Sequence, residues 1–280
     1  MSWFEALIAG IIQGLTEFLP ISSSGHLVIY GELTGGSGEG GNLAFTVFLH
    51  FATLLAVIIV YRKDVWALLR ELGGTIRDLF HGKPDMSAPG RRYLLMVIIG
   101  TIPAVIVGGG LKVLDLDAVL ENIFVVAVML IVTSVFMFLV DRLKEGTLTV
   151  MDAPLKTAWI VGALQAIAIL PGLSRSGSTI FGGILGGLKK EFAVRFAFIL
   201  SIPAILAAAV VELYGVVKAG ETVTSAGNLV IGFVAAVICG ILAIKVIKVL
   251  INSKKFYVFG IYCLGASVFA FLVAFGVIGG

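Results

Sequence analysis

The feature that most constrains this chain is a set of apolar runs about as long as a bilayer is thick. Residues 43–61, 93–112, 120–140 and 256–276 carry almost no charge, and what charge they have sits at their ends. A helix rising 1.5 Å per residue needs about 20 such residues to cross the hydrocarbon core. Residues 192–214 and 228–250 are equally long, with charges near an end. Composition agrees: 59% of the 280 residues are hydrophobic, 13% are charged and mean hydropathy is +1.10. Soluble domains run nearer a quarter charged. The chain reads as an all-α integral membrane protein. No basic patch is interleaved with aromatics, which excludes a nucleic-acid partner. Cys239 and Cys263 each lie in an apolar run, so they read as packing residues rather than a disulfide or metal site. The start "MSWFEALIAG" has no basic segment and no small-residue cleavage site, and is expected to be mature protein.

Two regions differ. Residues 3–31 and 157–188 are hydrophobic but broken centrally by Pro, Ser and Gly, with halves of only about 12 to 17 residues. Halves that short re-enter a membrane rather than cross it. The expected architecture is six transmembrane helices plus two re-entrant helical hairpins, in a single membrane domain spanning residues 1–280.

Charge sets the expected orientation. Seven basic residues lie in the loop 62–92, and Arg142, Lys144 and Lys156 lie in the loop 141–156. Lys189, Lys190 and Arg195 follow the second hairpin, and Lys245, Lys248, Lys254 and Lys255 mark the last connection. Lys112 and Lys218 fall on the other side, and Arg175 lies within a hairpin. The positive-inside rule places the basic side in the cytoplasm and both termini outside. The first hairpin then enters from outside and the second from the cytoplasm, each followed by three spans. The halves 1–140 and 157–280 become inverted copies. A shift of 152 places Gln13 on Gln165, Ser22 on Ser174, Ser24 on Ser176 and Gly25 on Gly177, while Pro20 and Pro171 miss register by one. Inverted repeats with broken helices put their binding sites where the breaks meet. Residues 65–80 carry an apolar stripe opposite basic residues and are expected on the cytoplasmic membrane surface, although Gly73-Gly74 argues against one unbroken helix.

Glu17, His26, His50 and Arg175 are the ionisable residues left at depth, where each charge costs roughly 2.5–3.5 kcal/mol. In "QGLTEFLPISSSGH" Gln13 and Glu17 share one face of the first half-helix. Glu17 can act as general base, metal ligand or ion-pair partner of Arg175. Among Ser22, Ser23 and Ser24 at least one is expected to cap the next half-helix. That helix N-terminus is an anion site, and a serine beside Glu17 and His26 has the makings of an activated nucleophile. In "PGLSRSGST" Ser174, Ser176, Ser178 and Thr179 supply hydroxyls. Arg175 supplies a fork-shaped cation suited to phosphate. Two opposed breaks, one acidic and one cationic, point to a multiply charged anion. His50 suits a core hydrogen bond as well as a site role.

These two segments resemble the motifs of the undecaprenyl-diphosphatase family, integral membrane phosphatases linked to bacitracin resistance. "QGLTEFLPISSSGH" is similar to its (E/Q)-x-x-x-E motif with the following Ser and His, and "PGLSRSGST" to its P-G-x-S-R-S-x-x-T motif. Length, hairpin pattern and basic loop resemble it along essentially the whole chain. The resemblance implies dephosphorylation of undecaprenyl (polyprenyl) diphosphate at the outer face, recycling the lipid carrier of cell-wall synthesis. It implies a divalent cation, Mg2+ or Ca2+, held by Glu17 and Gln13. It assigns Glu17, Ser23, His26 and Arg175 to catalysis, with Ser22, Ser174, Ser176 and Thr179 as phosphate ligands. The expected partners are the polyprenyl diphosphate lipid and the bilayer, and a homodimer is compatible with both. Two residues depart from the pattern: Gln13 where some members have glutamate, and Thr46 where an acidic residue is expected. Ser23, His26 and water remain alternatives for the attack. A transporter or flippase of a phosphorylated lipid would use a similar cavity without needing an acid–base pair. A structural scaffold leaves the buried charges unexplained.

Overall fold

The structure, a computed structural model, describes residues 1–33, 43–81, 89–113, 122–219 and 225–278. Lys83, Asp115, Asp117, Glu121 and Glu221, together with residues 34–42, lie outside the described residues. Among the described residues the chain forms eleven helices. They are α1 (Trp3–Phe18), α2 (Ser23–Leu33), α3 (Leu43–Val60), α4 (Arg62–Phe80), α5 (Pro89–Val113) and α6 (Ile123–Arg142). They continue as α7 (Leu155–Ile167), α8 (Arg175–Leu185), α9 (Lys190–Ala219), α10 (Ala226–Leu250) and α11 (Tyr257–Ala274). The protein is an all-α membrane protein.

Helices α5, α6, α9, α10 and α11 are each long and apolar enough to cross a membrane. Helix α3 bends by 92° into α4 at a one-residue break, and this pair makes a sixth candidate span. Spans therefore fall where the apolar runs predict them. Helix α4 has no fully buried residue: Val65 and Leu68 pack against the core and Arg91 of α5 pairs with Glu71 and Asp78, while Trp66, Leu69, Leu72, Ile76, Leu79 and Phe80 are exposed. Gly73 and Gly74 do not interrupt it. Flanking helix formers carry the helix through, and Gly73 has no neighbour that would bend it.

Packing around the two broken segments depends on small residues, which let helix backbones approach where no hydrophobic force separates protein from lipid. Helix α1 runs along α10, with Gly10 and Gly14 pressed on it. A Cβ on Gly10 would lie 2.3 Å from the Gly232 carbonyl oxygen, and one on Gly14 2.5 Å from that of Ala236. Helix α1 stops where Phe18 meets Gly240, ten residues before α10 ends. On the other side α7 lies against α5, where a Cβ on Gly162 would sit 2.4 Å from the Gly100 oxygen. Helices α7 and α8 form a hairpin whose open ends meet again: the Thr157 hydroxyl donates to the Gly186 carbonyl at 2.9 Å. The main core lies between these units, with Phe18, Met96, Phe196, Phe198 and Leu200 fully buried.

Several basic segments gather at one end. Arg195 of α9 donates to Asp64 of α4, and the Lys248 ammonium of α10 sits 4.0 Å from the Tyr61 ring centroid. Arg92 donates to the Ala153 carbonyl at 2.7 Å. Cys263 is buried and Cys239 partly buried, and the two are not bonded to each other.

Candidate active site

The two breaks are built alike. At the first, α1 ends at Phe18, Pro20 follows, and Ser22 precedes α2 with a φ of 67°. The Ser22 hydroxyl accepts the Gly25 N–H at 3.3 Å and lies 3.3 Å from the Ser24 hydroxyl. At the second, Ser174 caps α8: its hydroxyl accepts the Gly177 N–H at 3.2 Å and lies 3.1 Å from the Ser176 hydroxyl. Serine caps satisfy amides that a helix start leaves open. The remaining first-turn amides and the positive ends of two helix dipoles stay available to an anion.

The breaks also touch each other. A Cβ on Gly25 would come 2.9 Å from the Gly172 Cα, and one on Gly177 3.2 Å from the Pro20 Cβ. Gly172 has a φ of 89°, and its own Cβ would lie 2.4 Å from the Val126 oxygen. Side chains from two long helices hold the turns. Thr133 of α6 donates to the Gly172 carbonyl and accepts the Ser174 N–H, both at 2.9 Å. The Cys263 thiol of α11 lies 3.6 Å from the Pro20 carbonyl.

This junction joins the charges. Arg175, the first residue of α8, donates through Nη2 to Glu17 Oε1 on the last turn of α1. The other carboxylate oxygen accepts from Gln13 Nε2 at 3.2 Å and from the Ser23 hydroxyl at 3.0 Å. The Glu17 side chain is 7% exposed and that of Arg175 22%. A carboxylate so buried requires this pairing, because an uncompensated charge in a low-dielectric site costs several kcal/mol. Arg175, Ser176, Thr179, Phe198 and Ser201 close around Glu17, leaving no room for a water molecule.

Glu17, Ser23, Arg175 and Gln13 are thus brought together, and His26 is not. Its Nδ1 lies 2.7 Å from the Ser22 carbonyl, which can only accept, so Nδ1 carries the proton. Its Nε2 lies 2.7 Å from the Tyr262 hydroxyl. The two rings stack with centroids 5.6 Å apart. Ser22, Ser174 and Ser176 line the breaks, with their hydroxyls engaged in the caps. The Ser176 hydroxyl also donates to the Leu19 carbonyl at 3.3 Å. Thr179 donates to the Arg175 carbonyl at 2.8 Å, leaving its lone pairs for a donor. His50 and Thr46 lie on α3.

Among the described residues no three His, Cys, Asp or Glu side chains cluster to hold a metal ion. Among the described residues Glu17 is the carboxylate at this junction, and both its oxygens already accept hydrogen bonds. Such a donor set does not make a protein-only cage. A cation such as Mg2+, commonly held by one or two carboxylates together with substrate phosphates, would have Glu17 as its carboxylate here.

Sequence patterns did not point to Thr133, Tyr262, Phe198 or Ser201. Thr133 and Tyr262 are polar residues inside apolar spans, and only the fold reveals that they reach the breaks.

Comparison with known proteins decides the relationship. The model of the family described as bacitracin resistance protein BacA matches residues 6–269. The chain belongs to this family. An undecaprenyl-diphosphatase of Methanobrevibacter smithii is 41% identical across 97% of this chain and 98% of its own length. Undecaprenyl-diphosphatases of Alkaliphilus metalliredigens and Desulfosudis oleivorans are 38% and 37% identical, each across 94% of this chain and 95% of their own length. Both breaks, and every residue that contacts Glu17, fall inside the stretch matched to the BacA family.

Proposed function

We propose that this protein is a membrane phosphatase that hydrolyses undecaprenyl (polyprenyl) diphosphate to the monophosphate and inorganic phosphate. The observation that carries this reading is the contact of Ser23 and Arg175 with one buried carboxylate, Glu17, where two helix N-termini meet. That is a nucleophile with a base, beside a cation and two anion-binding helix starts. The names of the BacA-family relatives support the same reaction.

Phosphoryl transfer asks chiefly for positioning and for neutralisation of the phosphate oxygens. The diphosphate draws Arg175 off Glu17, and Arg175 with the first amides of α2 and α8 holds its charge. Ser23 Oγ attacks the terminal phosphorus, and its proton passes to Glu17 Oε2, 3.0 Å away. The bond from phosphorus to the bridging oxygen breaks and polyprenyl monophosphate leaves. Water then hydrolyses the phosphoserine, and inorganic phosphate departs. His26, held by Ser22 and Tyr262, positions the break. A divalent cation would be held by Glu17 and the Gln13 amide together with the substrate, and would add positive charge on the phosphate oxygens.

The finer architecture belongs to this proposal: two re-entrant hairpins, α1–α2 and α7–α8, in inverted halves. Three observations support it. The Thr157–Gly186 bond closes the second hairpin at one end, α1 stops short of the end of α10, and the two caps share one pattern 152 residues apart. The reciprocal contacts of Gly25 with Gly172 and Gly177 with Pro20 fit a two-fold relation between halves. We place the basic end in the cytoplasm, both termini outside and the active site open to the outer face.

The test is phosphate release from a long-chain prenyl diphosphate, measured in vesicles beside lipid translocation. Phosphate release with Ser23 labelled by phosphate during turnover is expected. Translocation without phosphate release would overturn the assignment.

A further inference from the structure

A second cavity lies at the basic end, away from Glu17 and Arg175. It encloses about 470 Å³, bordered by Tyr61, Arg62, Lys63, Asp64, Arg195 and Lys248. The α3–α4 bend, the first turns of α9 and the last turn of α10 supply these residues. Four of them are cationic. Against them stand Asp64, already bonded to Arg195, and Glu191. The wall is therefore positive by two charges. Lys248 lies over the Tyr61 ring and, among the described residues, forms no ion pair with a carboxylate. Helix α4 opens at this wall with no side-chain cap on its first amides. Two polar atoms here have no hydrogen-bond partner: the buried hydroxyl of Tyr61, a residue only 4% exposed, and Nε of Arg195.

We propose that this cavity is a second anion site that binds a phosphate group. A cavity of this volume is of ligand-binding size and exceeds the needs of a single phosphate. A phosphate monoester carries about −1.5 to −2 charges at neutral pH, matching the surplus of the wall. Guanidinium, ammonium and helix-start amides are the donors that phosphate oxygens take. Basic pockets between membrane helices commonly hold anionic headgroups, so the phosphate can come from a lipid or from solution. The site is separate from the first. Tyr61 packs on Phe198 with ring centroids 6.1 Å apart, and Phe198 in turn packs on Phe18 beside Glu17 at 5.6 Å. These aromatic rings form a partition between the two chambers.

The test uses the full-length protein with Arg175→Ala, which silences the first site, and equilibrium dialysis of labelled inorganic phosphate and pyrophosphate. This protein is expected to retain one bound anion. Adding Lys248→Met should weaken binding by about tenfold or more, as loss of a charge-assisted donor does, whereas Lys248→Arg should keep it. Lys248→Met alone should leave prenyl diphosphate hydrolysis unchanged, which also certifies its fold. Competition separates the sources. Displacement of labelled phosphate by a prenyl monophosphate in nanodiscs assigns the site to a lipid headgroup, and failure to displace it assigns a soluble anion. Absence of anion binding to wild-type protein and to Arg175→Ala protein with wild-type helical circular dichroism, or binding indifferent to Lys248→Met, would overturn the proposal.

Discussion

Arg175 and Glu17, 158 residues apart in sequence, form an ion pair where the two helix breaks meet. The pair serves two ends. It lets two charges exist at depth, and it holds the cation that a phosphate will claim beside the carboxylate that a nucleophile needs.

Removing either partner should therefore damage both stability and turnover. Arg175→Ala leaves Glu17 buried and unpaired, at a cost of about 3–5 kcal/mol. Glu17→Ala does the same to Arg175. Both variants should lose prenyl diphosphate hydrolysis, and thermal unfolding in detergent should show the lost stability.

Ser23 and His26 should separate sharply. Ser23→Ala removes the hydroxyl bonded to Glu17 and should lower kcat by about a thousandfold or more, as loss of a nucleophile does. Tyr262→Phe removes only the hydroxyl bonded to His26 Nε2 and should cost less than about tenfold. Steady-state phosphate release on the two variants checks this, and equal losses would return His26 to the attack.

Gly172 should tolerate no side chain. Its φ of 89° and the 2.4 Å approach of the Val126 oxygen make Gly172→Ala strained as well as crowded. A loss of about 1–3 kcal/mol is expected, together with reduced hydrolysis as the breaks are pushed apart. Thermal unfolding midpoints measure the first effect.

Helix α4 should respond to acid. A hydrogen bond from Arg91, followed by the attraction of Arg91 and Arg77, holds the Asp78 carboxyl below its ordinary range. A lowered folded value means that the contribution is complete above the ordinary value near about pH 4. It is lost as pH falls further, through the folded value. Trp66 fluorescence should report α4 loosening below about pH 4, and Asp78→Asn should remove that step.

Much of this fold is legible in the sequence because bilayer thickness imposes one length on every span. The apolar runs from 43 to 276 fall on α3, α5, α6, α9, α10 and α11, and Pro, Ser and Gly mark both breaks. Glu17, Ser23 and Arg175 also stand out, since charge within apolar sequence is costly. What periodicity could not show is which way side chains turn. His26 faces Tyr262 rather than Glu17. Thr179 bonds its own helix. Thr133, unremarkable inside an apolar run, ties α6 to the second break. Gly73-Gly74 misled for a different reason, because glycine weakens a helix without forbidding it.

The most direct test of the central claim is phosphate release by purified, correctly inserted protein given a long-chain prenyl diphosphate, with and without a chelator. The account predicts release by the wild-type protein, suppression by the chelator, and none from Glu17→Ala or Arg175→Ala. Near-normal turnover in both variants would contradict it.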